Sequence, residues 1–205
     1  MKRCLMIFFA AILLSGCMGG SHPPEEMQRY TLEYSSPGSE AVSRTEQPIR
    51  VEKFTAIRSF RANHMIYRPG PYARGFYNYH RWDSAPADML TDLLLRDIRR
   101  SDIFKSVLSS ENVEDSRFVL EGRIEEFMEI DEGERSFASL IVYVTLRDSW
   151  KKPPAPPVIL QKTYASREPL KERKPLELAR AMSAATEKLS SLLILDLQTA
   201  VRESN

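Results

Sequence analysis

Two cysteines, three histidines and one dense run of carboxylates are the side chains in this 205-residue sequence that could do chemistry. His22, His64 and His80 are far apart, and neither an H-x-x-x-H pair nor a Cys/His spacing accompanies them, so a zinc site has no ligand set. There is no G-x-S-x-G elbow and no G-x-x-x-x-G-K-S/T loop. Glu125, Glu126, Glu129, Asp131, Glu132 and Glu134 have the density that a glycosidase or a calcium site would need. They fall on the polar parity of a strand and around its turn, which predicts a solvated acidic edge instead. With no nucleophile, base and oxyanion set to assemble, neither a catalytic residue nor a metal nor a dissociable cofactor is expected, and the protein reads as a non-enzyme.

Cys17 is the one side chain whose surroundings specify a reaction. Lys2 and Arg3 open the chain, an apolar stretch runs from Leu5 to Leu14, and the small pair Ser15-Gly16 stands directly before the cysteine. That is the order of a secretory signal. The stretch is about half the roughly twenty residues a spanning helix needs. Leu14-Ser15-Gly16-Cys17 resembles the bacterial lipobox, which implies cleavage before Cys17, a diacylglycerol on its sulfur and acylation of the new amino terminus. Two or more acyl chains hold a protein stably on a bilayer without a transmembrane helix. The residue after Cys17 is Met18 rather than Asp, which resembles outer-membrane sorting rather than inner-membrane retention. Residues 1–16 are therefore expected to be the signal peptide, 17–26 the lipidated cysteine and a Gly/Pro-rich tether, and 27–205 a single domain.

Cys4 leaves with the signal and Cys17 carries lipid, so the domain has no thiol and its stability must come from packing. Without Lys2 and Arg3 the chain holds 27 basic and 28 acidic residues, a formal charge of −1. A nucleic-acid partner would leave a clustered basic excess, and none is present.

The densest unusual segment is Met65–Ser84, in which Tyr67, Tyr72, Phe76, Tyr77, Tyr79 and Trp82 alternate with Arg68, Arg74 and Arg81. Aromatics mixed with arginine are what protein interfaces favour. Tyr67, Arg68, Tyr77, Arg81 and Trp82 are the candidate partner-binding residues. The competing account has Tyr67, Tyr77 and Trp82 packed beneath the first helix with the arginines stacked outside.

The elements that position these groups are legible from periodicity. Short strands are predicted at Met27–Tyr34, Ile49–Ala56, His64–Arg68 and Phe76–His80, the last two flanking Pro69-Gly70-Pro71. A helix beginning near Ser84 carries Pro86 in its first turn and Met89, Leu90, Leu93, Leu94 and Ile98 at helical spacing. Phe118–Ile130 alternates, with Phe118, Leu120, Ile124, Met128 and Ile130 on one parity. Phe137–Trp150 answers it across a turn at Asp131–Glu134, with Ala138, Leu140, Val142, Val144 and Leu146 inward. Lys151–Pro157 is an exposed proline-rich connection, Val158–Ser166 another strand, and Pro175 starts a long helix with a Leu178, Met182, Ala185, Leu189, Leu192 stripe extended by Leu193, Leu197 and Val201. The order predicts an α+β two-layer sandwich, an antiparallel or mixed sheet with two main helices on one face.

In this order the segments resemble the ABC-type transport auxiliary lipoprotein family, the type found in the paraquat-inducible operon. The resemblance rests on Cys17, Tyr30-Thr31-Leu32, Met65-Ile66-Tyr67-Arg68, the aromatic lead into Arg81-Trp82, and Pro86 with Leu90. It continues through Asp102-Ile103-Phe104 and Val119-Leu120-Glu121-Gly122 to Ala179, Met182 and Ala185 of the last helix. The proline-rich 151–157 connection departs from the pattern. The resemblance implies a non-catalytic subunit of a lipid transport system, working with an ABC transporter and a periplasmic subunit of the mammalian-cell-entry type. It implies a place on the periplasmic side of the outer membrane, and the family admits a homo-oligomer. The alternative is an outer-membrane structural or assembly lipoprotein supporting lipopolysaccharide or barrel assembly.

Overall fold

The structure is a computed structural model that describes residues 25–38, 44–151 and 157–204. Cys17, the signal segment, most of the tether and Lys152–Pro156 of the proline-rich connection lie outside the described residues. In chain order the elements are β1 (Gln28–Tyr30), β2 (Ile49–Val51), β3 (Thr55–Ala56), a 3-10 turn (Arg58–Phe60), β4 (His64–Gly70), β5 (Ala73–Trp82) and α1 (Pro86–Arg100). They continue with β6 (Val107–Ser109), β7 (Phe118–Glu132), β8 (Arg135–Asp148), β9 (Val158–Pro169) and α2 (Pro175–Ser204). The result is the expected α+β fold, a curled mixed sheet with two helices.

The β7–β8 hairpin is the spine. It runs in antiparallel register from Phe118↔Asp148 to Glu132↔Arg135, and β9 extends it on the far side of β8. Gly133 closes the turn at φ 63°, a conformation that costs glycine little. The other edge of β7 is shared in succession by three short parallel partners: β2 at Phe118–Leu120, β3 at Arg123–Ile124 and β4 at Glu129–Ile130. The expected Ile49–Ala56 strand is thus two strands at successive stations on β7. The expected Met27–Tyr34 strand is only three residues long, pairing parallel with β5 at His80–Trp82.

The strict alternation expected along β7 breaks at a bulge between Ile124 and Glu126. An extra residue in one strand reverses the side-chain parity beyond it. Ile124 and Phe127 therefore lie opposite Val142 and Leu140 on one face, and Glu129, opposite Ala138, follows them inward. Met128 and Ile130 turn to the other face, where they are also buried. Glu129 is consequently not part of a solvated edge: it is 1% exposed. Burial removes it from the acidic surface run, while Glu125, Glu132 and Glu134 stay exposed.

Both helices lie on the inward face. Met89, Leu90, Leu94 and Ile98 of α1 are buried as their spacing predicts, with Leu93 half-buried. On α2, Leu178, Met182, Ala185, Leu189, Leu193, Leu197 and Val201 are buried, but Leu192 is 50% exposed. The inward face turns past Leu192 because Leu189, Leu193 and Leu197 fall in line at i, i+4, i+8.

Two fully buried carboxylates fasten the helices. Asp97 of α1 accepts hydrogen bonds from the Tyr34 hydroxyl (2.6 Å), the Ser190 hydroxyl of α2 (2.6 Å) and Arg96 (2.8 Å). Burial alone would raise its pKa, but the bonds from Arg96, Ser190 and Tyr34 outweigh that and hold it below the ordinary carboxylate value. Asp148, at the base of the hairpin, accepts from Arg117 Nη2 at 3.0 Å, and the same nitrogen reaches the Ser204 carbonyl at the end of α2 (3.1 Å).

Candidate functional site: the aromatic hairpin

Strands β4 and β5 carry the aromatic and arginine residues singled out in the sequence. Both extend further than predicted, so the turn shifts to Pro71-Tyr72 and the tip carries Tyr72 fully exposed. His64 pairs with Arg81, Ile66 with Phe76 and Tyr67 with Gly75, which leaves Tyr77–His80 opposite the single residue Met65. This broad bulge re-aims four consecutive side chains. Gly75 makes room for its partner: a Cβ there would stand 2.5 Å from the Tyr67 ring, so a larger residue would have to displace that ring from its place against Tyr77.

The bulge separates the five candidate residues. Trp82 is 1% exposed and meets Phe127 edge-on at 5.2 Å between ring centres, so it belongs to the core and not to a docking surface. Tyr77 is half-buried and donates its hydroxyl to Glu129 Oε2 at 2.8 Å. Tyr67 packs its ring on Tyr77 at 5.2 Å. Arg81 donates to the carbonyls of Tyr77 (2.5 Å) and His80 (2.8 Å) and lies over the Phe76 ring at 5.7 Å. Arg68 is half-buried on β4. The outward surface is instead built by Tyr72, Arg74, Phe76 and Tyr79. Nothing in residue type distinguishes these from the inward set, because the bulge position decides which way each one points.

Behind the hairpin sits a small polar cluster. Burial raises the Glu129 pKa to about 7, the neighbouring Asp131 charge adds to the rise, and the Tyr77 hydrogen bond and Arg173 work against it. Asp131 is held by Ser136 (2.5 Å) and Arg173 (3.4 Å), and Arg173 also donates to Ser136 (2.9 Å). The Tyr77 phenol is in turn pushed well above its ordinary value, first by burial and then by Glu129. Chemically this is a protonatable strut between β5 and β7: a carboxyl with a phenol donor and no nucleophile on it.

Elsewhere the surface offers polar clefts. One of about 490 Å³ on the outer sheet face is lined by Lys53, Glu121, Arg123, Tyr143 and Arg147, among others. Its charges are partly satisfied, Arg147 by Glu121 (3.2 Å) and Lys53 by Asp88 (2.8 Å). Among the described residues no three His, Cys, Asp or Glu side chains converge as metal ligands, and no helix is long and apolar enough to cross a membrane.

Among solved structures, the chain is similar to XCC0632 from Xanthomonas campestris, with 18% identity over 86% of this chain and 98% of that one and a TM-score of 0.78. A second, uncharacterized protein aligns at 11% identity over 84% of this chain and 99% of that one, with a TM-score of 0.66. The hypothetical protein CT253 from Chlamydia trachomatis aligns at 12% identity over 77% and 98% of the two chains, with a TM-score of 0.50. At these identities the likeness is one of fold. No curated protein matches the sequence. Residues 30–192 match the family described as the ABC-type transport auxiliary lipoprotein component, a span from β1 through most of α2. The chain belongs to that family.

Proposed function

We propose that this protein is a lipid-anchored, non-catalytic auxiliary subunit of an ABC-type lipid transport system, held on the periplasmic side of the outer membrane by Cys17. Its working partners are a periplasmic subunit of the mammalian-cell-entry type and the transporter behind it. The observation that carries this reading is the family match, which spans nearly the whole folded domain. Two features support it. The lipobox ending in Cys17, followed by Met18, fits acylation and export to the outer membrane. The polar groups of the hairpin serve as struts between strands, which fits a docking part better than an enzyme.

The test is genetic. A strain lacking this chain is compared with strains lacking the transporter ATPase and lacking both, by sensitivity to membrane-active compounds and by envelope lipid composition. The same defect is expected in all three strains. An additive double defect would instead favour an independent structural or assembly role. Separating inner and outer membranes on a sucrose gradient after labelling with radioactive palmitate tests the location, and label banding with the inner membrane would contradict it.

A further inference from the structure

The tip of the β4–β5 hairpin is an exposed apolar projection whose position relative to the incoming chain is fixed by strand register. Tyr72 at the turn is fully exposed; further back along β5, Phe76 is 52% and Tyr79 is 46% exposed, and Met27, at the level of β1, is 45% exposed. Because β1 pairs parallel with β5, Gln28 opposite His80 and Tyr30 opposite Trp82, the residues before Gln28 come in from the end of β5 that carries the tip. Residues 25–27 therefore enter β1 from the side of the domain that carries the tip.

We propose that this tip rests in the headgroup layer of the same phospholipid bilayer that holds the acyl chains of Cys17, giving the domain a second membrane contact and a fixed orientation. The inference rests on the lipid-anchor part of the proposed function. Tyrosine and phenylalanine next to arginine suit the membrane interface, where the ring meets the upper acyl region and the cation meets phosphate. Arg68 and the exposed Arg74 flank the turn, Arg74 also donating to Ser59 (3.2 Å), while Arg81 stays at the β1 level on the Tyr77 and His80 carbonyls; the first acidic residue after His64 is Asp83. The acidic groups toward this end are Asp131 and Glu132, paired with Arg173 (3.4 Å) and Arg167 (2.8 Å), together with the exposed Glu134 of the turn, beside the exposed Arg135, and Glu25 and Glu26 before β1.

The lengths agree. Strand β4 rises about 20 Å from His64 to Gly70 at roughly 3.3 Å per residue, which sets the distance from the β1 level to the tip. The ten residues Cys17–Glu26 reach at most about 35 Å. The lipidated end can lie in the bilayer while the tip touches it, with chain to spare.

The test uses the lipidated full-length protein in vesicles of phosphatidylethanolamine and phosphatidylglycerol. A Tyr72→Trp substitution places an indole at the tip, in a Trp150→Phe background so that the other tryptophan is the buried Trp82. With brominated phospholipids, the tip emission is expected to shift to shorter wavelength and fall about two-fold or more, with smaller quenching after Arg74→Glu. If the protein floats with the vesicles and the indole stays unquenched and solvent-like, the proposal is overturned while the anchor stands. It is overturned equally if the tip is unquenched in vesicles yet shielded from iodide in native envelopes, since a protein partner then covers it. If the protein does not float at all, the anchor reading fails and this contact fails with it.

Discussion

The Tyr77 hydroxyl lies 2.8 Å from Glu129 Oε2, joining the bulged strand β5 to the central strand β7 through a single buried carboxyl. Both partners are brought there by irregularities. The β5 bulge turns Tyr77 inward, and the β7 bulge turns Glu129 to meet it. A regular pairing of either strand would have left the two groups apart.

Glu129 should make the domain less stable as pH rises. Its folded pKa of about 7 lies above the ordinary 4.5, so the native state holds a proton that the unfolded chain releases earlier. The contribution is complete below the unfolded value and lost as pH climbs through about 7, which amounts to about 3 kcal/mol over that window. Glu129→Gln keeps an acceptor for Tyr77 and removes the titration. Urea unfolding from pH 4 to 9 should show a flatter stability profile for the variant, more stable than the native protein at pH 8. Parallel profiles would mean that Glu129 does not titrate in this range.

Asp97 holds three segments together, and its loss strands their partners. Asp97→Ala leaves the Tyr34 and Ser190 hydroxyls without their acceptor and the Arg96 charge unpaired, which should cost about 3 kcal/mol in denaturant unfolding. Since the folded pKa of Asp97 is depressed, its stabilisation is present above the unfolded value and disappears as pH falls through the folded one. Asp97→Asn should therefore show a shallower loss of stability on acidification.

Trp82 and Tyr72 separate core from surface within one strand pair. Trp82→Ala empties a buried ring site against Phe127 and should cost about 3–5 kcal/mol. Tyr72→Ala, at the exposed tip, should stay within about 0.5 kcal/mol of the native protein by thermal or chemical unfolding. Equal effects of the two would contradict the assignment of Trp82 to the core.

Much of this was readable in the sequence wherever periodicity is unbroken. The helix from Pro86 and the long helix from Pro175 show their buried faces in the spacing of leucines, and the Phe118–Trp150 hairpin shows itself by alternation around a glycine turn. The misses share one cause. Bulges are insertions in pairing, not in composition, so the reversal at Glu125–Glu126 and the displacement of Tyr77–His80 leave no mark in the residue types. Glu129 consequently reads as solvent-facing and Trp82 as a possible surface anchor, although Glu129 stands opposite Ala138 and Trp82 against Phe127. The strands β3 and β6 are two and three residues long, too short to carry a period, and exist only because the free edge of β7 and then β2 offers them hydrogen bonds.

Cys17→Ala should abolish incorporation of labelled palmitate and the lipid-dependent attachment, while the circular dichroism and thermal midpoint of the domain stay unchanged. Among the described residues the elements from Gln28 onward make their own core, with no thiol in it. Palmitate incorporation by the variant would place the lipid elsewhere.

The central claim is that this domain is a tethered part of a transporter and not a free-standing lipoprotein. It is tested most directly by affinity purification of the lipidated protein from detergent-solubilised envelopes, after brief chemical crosslinking, with the bound proteins identified by mass spectrometry. The predicted result is recovery of a periplasmic subunit of the mammalian-cell-entry type together with the permease or ATPase. Recovery of an outer-membrane barrel or assembly factor in their place, with none of the transporter subunits present, would contradict it.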